Sequence, residues 1–167
     1  MEERYEFDEV TLLAAFAMGT PGKRTFFLVV GQQEKWVRGW LEKEQLQSLA
    51  LGVDQFLLTL SKERPRLPPA AKGVPLSDDV PPGLPAAEVE IDEIALGYDH
   101  DRATLSLVVH AVGPQKLDRA LVQCRTTLAR LEQFSKQAKR LCAAGRPRCA
   151  LCGGPIDHEG HACPRSN

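Results

Sequence analysis

Residues 63–86 hold seven prolines and almost no large apolar side chain other than leucine and two valines. Proline has no backbone N–H and fixes its own φ, so a stretch this rich in it supports neither a helix nor a central strand. The chain is therefore divided into two halves joined by an extended linker. A tail rich in cysteine and glycine follows the second half. At 167 residues the chain is long enough for one cored domain or two small lobes.

Each half has its own pattern. In the first, residues 6–18 form an apolar run that ends at Gly19, and Thr20-Pro21-Gly22-Lys23 is a turn. Thr25 to Val30 is rich in β-branched and aromatic residues and reads as a strand, and Trp36 to Leu41 reads as a third strand returning antiparallel. From Lys43 the period changes: Leu46, Leu49, Ala50, Val53, Phe56, Leu57 and Leu60 recur at three and four, one face of an amphipathic helix.

The second half runs in the same order. A strand from Val89 to Gly97, a turn at Tyr98-Asp99-His100-Asp101, a strand from Ala103 to His110 and a strand over Leu117–Cys124 precede a helix capped by Thr126 or Thr127 and running to about Cys142. Gly19 to Arg24 and Gly97 to Arg102 have the same spacing, and Lys35-x-x-Arg38 matches Lys116-x-x-Arg119. These parallels predict an internal duplication. The expected fold is α+β: two pseudo-repeated βββα units with antiparallel sheet, 1–62 and 87–144, joined by the linker 63–86. A small zinc knuckle at 145–167 completes it. One unit alone would leave its sheet half covered, whereas two can join sheets and share a core.

The tail reads Cys149-Ala-Leu-Cys152-Gly-Gly-Pro-Ile-Asp-His158-Glu-Gly-His161-Ala-Cys163. Two thiolates two residues apart reach one ion when the backbone turns tightly, and Gly153 relieves that turn. His161 and Cys163 complete a tetrahedral Cys₃His set with no open position, the arrangement of a structural Zn²⁺. His158 is the alternative nitrogen, but it lies in an Asp-His-Glu-Gly turn. Metal binding would supply the folding free energy that a segment with only Leu151 and Ile156 cannot find in a core. A redox Cys-x-x-Cys would usually follow a strand and open a helix; this one follows a helix. Cys124 and Cys142 read as small buried hydrophobes.

The net charge of −1 predicts no partner, but residues 115–167 carry ten Lys or Arg against four Asp or Glu. Arg140, Arg146, Arg148 and Arg165 could therefore meet phosphates of a nucleic acid, and a solvated helix face accounts for the same charges. Trp36 and Trp40 share one strand face, where core packing competes with base stacking. His100, between Asp99 and Asp101, reads as a turn residue and His110 as structural. The chain has no Gly-rich phosphate loop, Gly-x-Ser-x-Gly or His-Glu-x-x-His motif. An enzyme would have to place its site between the halves, near Arg24 and Arg102. With no membrane-length apolar run and no signal-peptide pattern at Met1–Glu6, the expected location is cytoplasmic.

Three segments carry a family resemblance: Gly19-Thr-Pro-Gly-Lys-Arg-Thr-Phe26, Leu41-Glu-Lys43-x-Gln45, and Ala144-Gly-Arg-Pro-x-Cys149-x-x-Cys152-Gly-x-Pro155 running to Arg165. With them the chain resembles, over nearly its full length, the uncharacterised domain-of-unknown-function family 3090 of actinobacteria and related bacteria. The resemblance implies that Cys149, Cys152, His161 and Cys163 belong to the family pattern, and it carries no established activity. Genes of the family lie near phosphatase-like and kinase-like genes, a weak hint of a partner role. The reading that follows is a non-enzymatic zinc-binding adaptor or regulatory protein with an unidentified protein partner. A nucleic-acid-binding protein and a hydrolase or transferase are the alternatives.

Overall fold

The computed structural model describes residues 4–20, 22–63, 79–102, 104–112, 120–144, 150–152 and 163–164, with the backbone alone for 120 and 121. Within them the chain forms β1 (Tyr5–Phe7), β2 (Leu12–Met18), β3 (Thr25–Gly31), β4 (Trp36–Leu41) and α1 (Lys43–Glu63). After the linker come β5 (Ala87–Asp99), β6 (Thr104–Ala111), β7 (Ala120–Thr126) and α2 (Leu128–Ala143). All seven strands join one sheet in the order β1-β7-β6-β5-β4-β3-β2. The α+β class holds, but the expected antiparallel sheet is mixed. β1 runs parallel to β7, and β4 runs parallel to the start of β5. Alternation along a strand reports which face a side chain takes and says nothing about the direction of the neighbour.

The sheet cannot be flat. β1 lies at one end of the strand order and β2 at the other, yet only residues 8–11 separate them. Six strand spacings in a flat sheet come to about 29 Å, and five Cα steps reach at most about 18 Å. The sheet therefore curls until its ends meet. Two successive backbone amides make the join: Val10 N–H donates to Arg125 O of β7 and Thr11 N–H to Gly31 O of β3, both at 3.0 Å. Val10 is completely buried at this point.

β5 repeats the manoeuvre in one continuous strand. Its residues 87–90 pair with β4, and its residues 91–99 pair with β6 after an irregularity between Ile91 and Glu93. The inward faces of both halves feed one core, including Leu13, Leu28, Val37, Ile91, Leu107 and Val122.

The two helices cross over that core. Ala50 of α1 and Ser135 of α2 are small and buried at the crossing, which lets the backbones approach. Ser135 Oγ lies 3.1 Å from Ala50 O and 2.6 Å from Asp54 Oδ1. Of the two threonines expected to cap α2, Thr127 does so, its side chain accepting from Arg130 N–H at 3.2 Å.

Three strand boundaries differ from the sequence reading. The first apolar run, 6–18, is broken at 8–11 by the closure. β5 continues past Gly97 to Asp99, so Tyr98 and Asp99 are paired and the turn begins at His100. β7 runs to Thr126, and residues 117–119 of the predicted third strand lie outside the described residues. Consequently Gly19, with φ +98°, sits in a turn, whereas Gly97 sits within a strand opposite Ser106. The matched Gly-to-Arg spacing does not align the two hairpins.

Gly31 ends β3 with φ +145°, and a Cβ there would stand 2.6 Å from Lys35 O and 2.7 Å from Trp36 Cα. Both are backbone atoms and cannot swing aside. Gly31→Ala should therefore cost about 1–3 kcal/mol. In urea unfolding the midpoint should fall at unchanged slope; an unchanged midpoint would mean that the closure tolerates a side chain here.

Candidate functional site

The tail springs from the C-terminal end of α2, beside the start of α1. Burial raises the pKa of the Cys142 thiol; Lys43 opposes that shift and Glu44 adds to it, which places the two helix ends within electrostatic reach. Of the four expected ligands, Cys152 and Cys163 are described and both are half-buried, whereas Cys149 and His161 lie outside the described residues. His158, Arg146, Arg148 and Arg165 also lie outside them. Among the described residues no group of three or more His, Cys, Asp or Glu is placed to hold a metal.

The other two cysteines are core residues, as expected. Burial pushes the Cys124 thiol up to about 12, against a lesser opposing hydrogen bond with the Leu107 backbone. Neither core thiol is suited to ionise near neutrality.

The arginines of the enzymatic alternative are not brought together. Arg24 precedes β3 and Arg102 precedes β6, and β4 and β5 lie between those strands. The register separates them further: Phe27 is level with Glu90 through Trp40, whereas Thr104 pairs with Asp99, so the two strands start at different levels of β5. Arg102 is exposed, with its Nε 4.0 Å from Asp99 Oδ2. His100 stands edge-on to the Tyr98 ring at 5.0 Å between centroids. Arg140 is exposed in the last turn of α2.

An arginine that sequence reasoning left out is more deeply set. The Arg38 guanidinium lies 5.1 Å from the Phe27 ring centroid and 5.5 Å from those of Trp36 and Trp40. Its Nη1 donates to Glu88 Oε1 at 2.6 Å. Arg38 and Glu88 are register partners in the parallel β4–β5 pairing, so the ion pair and the ring contacts pin that join. The two tryptophans thus pack on the outer face of the sheet, Trp36 almost wholly buried.

A concavity beside α1 was also illegible in the sequence. An open cleft of 440 Å³ lies between α1 and β5, with an apolar lining from Leu41, Leu49, Phe56, Ile91, Ile94 and Leu96. Gln45, Ser48, Asp92 and Glu93 supply its polar atoms. Asp92 and Glu93 are exposed, so two carboxylates stand at the mouth of an apolar trench. Gln45 Nε2 donates to Ile91 O at 3.2 Å and ties the start of α1 to β5. No helix among the described residues is long and apolar enough to cross a membrane.

These features define a mixed-sheet α+β protein with a curled sheet, an open cleft beside α1 and a cysteine-bearing tail. The chain belongs to the family described as proteins of unknown function, DUF3090, which it matches over residues 5–163. That span takes in both halves, the linker and the tail as far as Cys163. No curated protein and no solved structure matches it.

α1, which forms one wall of the cleft, is tied to α2 by Asp54, whose carboxylate bonds Ser135 and pairs with Lys139. Burial raises the Asp54 pKa, but Lys139 and Ser135 together outweigh it and hold the carboxyl below its ordinary value. A depressed folded-state pKa gives stability that is present above the unfolded value of about 3.9. That stability is lost as pH falls through the folded pKa. Asp54→Asn should therefore lower Tm at neutral pH, with the difference from wild type shrinking toward zero in strong acid. A difference that stays constant with pH would show that the ionised pair contributes nothing.

Proposed function

We propose that this chain is a non-enzymatic interaction protein whose tail folds around one structural zinc ion held by Cys149, Cys152, His161 and Cys163. The observation that carries the reading is the contrast among the cysteines. Cys124 and Cys142 are sealed in the core, whereas Cys152 and Cys163 are half-buried in the tail at metal-ligand spacing. Three thiolates and one imidazole suit Zn²⁺ and leave no position for a reacting water. The tail offers only Leu151 and Ile156 as large apolar side chains, so its folding free energy has to come from elsewhere than a core of its own. When bound, zinc would supply that energy and nothing chemical.

The same reading takes the body to be a duplicated βββα unit, and the strand register supports it better than the Gly-to-Arg spacing does. Leu28 pairs with Ala15 and Val30 with Leu13; Leu107 pairs with Leu96 and Val109 with Ile94. Phe7 pairs with Cys124 in one parallel join, Val89 with Gly39 in the other. Leu46, Ala50 and Val53 of α1 are buried at the same spacing as Leu131, Ser135 and Ala138 of α2. The first strand of each unit thus pairs with the last strand of the other. Interlocked units of this kind depend on each other for closure.

Elemental analysis of purified protein should find about one zinc per chain. Cys149→Ser and Cys163→Ser should each lose it while the far-ultraviolet circular dichroism of the body persists. Freshly reduced protein without metal would overturn the assignment. Binding of single-stranded or duplex DNA that weakens steeply with salt would instead favour the nucleic-acid reading through Arg140, Arg146, Arg148 and Arg165.

A further inference from the structure

The two halves treat the same strand edge differently. In the first, α2 seals the edge of β2: Gln137 Oε1 accepts the Ala15 N–H at 3.0 Å. Through the pairings Leu28–Ala15 and Leu107–Leu96, the counterpart of Ala15 on β5 is Leu96. Through the helix crossing, where Ser135 meets Ala50, the counterpart of Gln137 on α1 is Gly52. Gly52 has no side chain to offer, and a Cβ built on it would meet nothing within 4 Å. Gly52 and Leu96 both line the 440 Å³ cleft. The cleft is thus the space that a sealing side chain fills in the other half.

We propose that this cleft is the docking site for a short extended peptide segment of a partner protein, one carrying aliphatic side chains flanked by Lys or Arg. Three features on the page select that occupant. β5 presents Ile91 to Leu96 along the trench, a length of about 17 Å, which suits some five residues of extended chain. The floor of Leu49, Phe56, Ile94 and Leu96 takes apolar side chains. Asp92 and Glu93 at the mouth are complementary to flanking cations and would repel acidic ones. The peptide backbone brings the carbonyl acceptor that Gln137 brings to β2, an edge-strand mode of recognition. The proposal uses the correspondence between the halves and does not involve the metal.

Gly52→Gln is the decisive variant. It copies Gln137 into the empty place, in a helix that favours Gln over Gly, so the protein should fold at least as well while the trench is filled. The probe is the fluorescein-labelled blocked peptide Lys-Val-Leu-Val-Lys, read by anisotropy on the full-length chain, with Glu-Val-Leu-Val-Glu as its counterpart. The lysine peptide should saturate below about 1 mM and weaken with salt. It should slow amide hydrogen exchange over residues 91–97, and the glutamate peptide should not. Gly52→Gln should cut affinity at least about tenfold with thermal stability retained, and Asp92→Asn with Glu93→Gln should erase the preference between peptides.

Equal binding of the two peptides, undiminished binding by Gly52→Gln, or no saturation by about 1 mM would overturn the proposal. So would a dimer seen by sedimentation that Gly52→Gln dissolves, since the occupant would then be a second copy. Cys149→Ser should bind the lysine peptide as wild type does, so failure of the zinc assignment and failure of this one read out separately.

Discussion

The four residues between β1 and β2 govern the rest of the molecule. They reach from one end of the strand order to the other, and the Val10 and Thr11 amides fasten β7 and β3 from adjacent positions. A sheet held at both ends by consecutive residues has to curl. The curl turns the alternate side chains of seven strands toward one interior, and a single core can then collect residues from Tyr5 to Cys142. Arg38 and Glu88 hold the second parallel join from outside, with the guanidinium set against three aromatic rings. Neither join is local in sequence, so each half is completed only by the other.

Given that frame, the helices can cross the core in one way. Ala50 and Ser135 permit close approach, and Asp54, Ser135 and Lys139 tie the crossing at the surface of the core. The crossing brings the end of α2 beside the start of α1. It also separates the fates of the two long strands. α2 seals β2 through Gln137, while α1 presents Gly52 to β5 and leaves a trench. On the duplicated-unit reading, this is a difference of one side chain at matching helix positions.

The zinc reading and the cleft reading concern different parts of the chain and different physics. On the zinc reading, a tail whose large apolar residues are Leu151 and Ile156 would be organised by ligand bonds from its thiolates. The cleft depends on packing and on two carboxylates, and its walls belong to the body. The arginines that suggested a site between the halves stand on turns that β4 and β5 keep apart, which leaves the cleft as the concavity with convergent polar and apolar groups among the described residues.

Much of this was legible in the residues. Leu46 to Leu60 at spacings of three and four read as an amphipathic helix and Thr25 to Val30 as a strand, because each pattern arises within a few residues of itself. The burial of Cys124 and Cys142 was legible through their apolar neighbours. What the tertiary structure alone decided was which strands meet and in which direction: β1 against β7, β4 against β5, and the break at 8–11 that makes both possible. It likewise decided that Gly97 lies within a strand and that Gly52 faces an open trench. Side-chain periodicity records the face a residue turns to the core; pairing partners are selected by the closure of the whole sheet, to which residues more than a hundred positions apart contribute together.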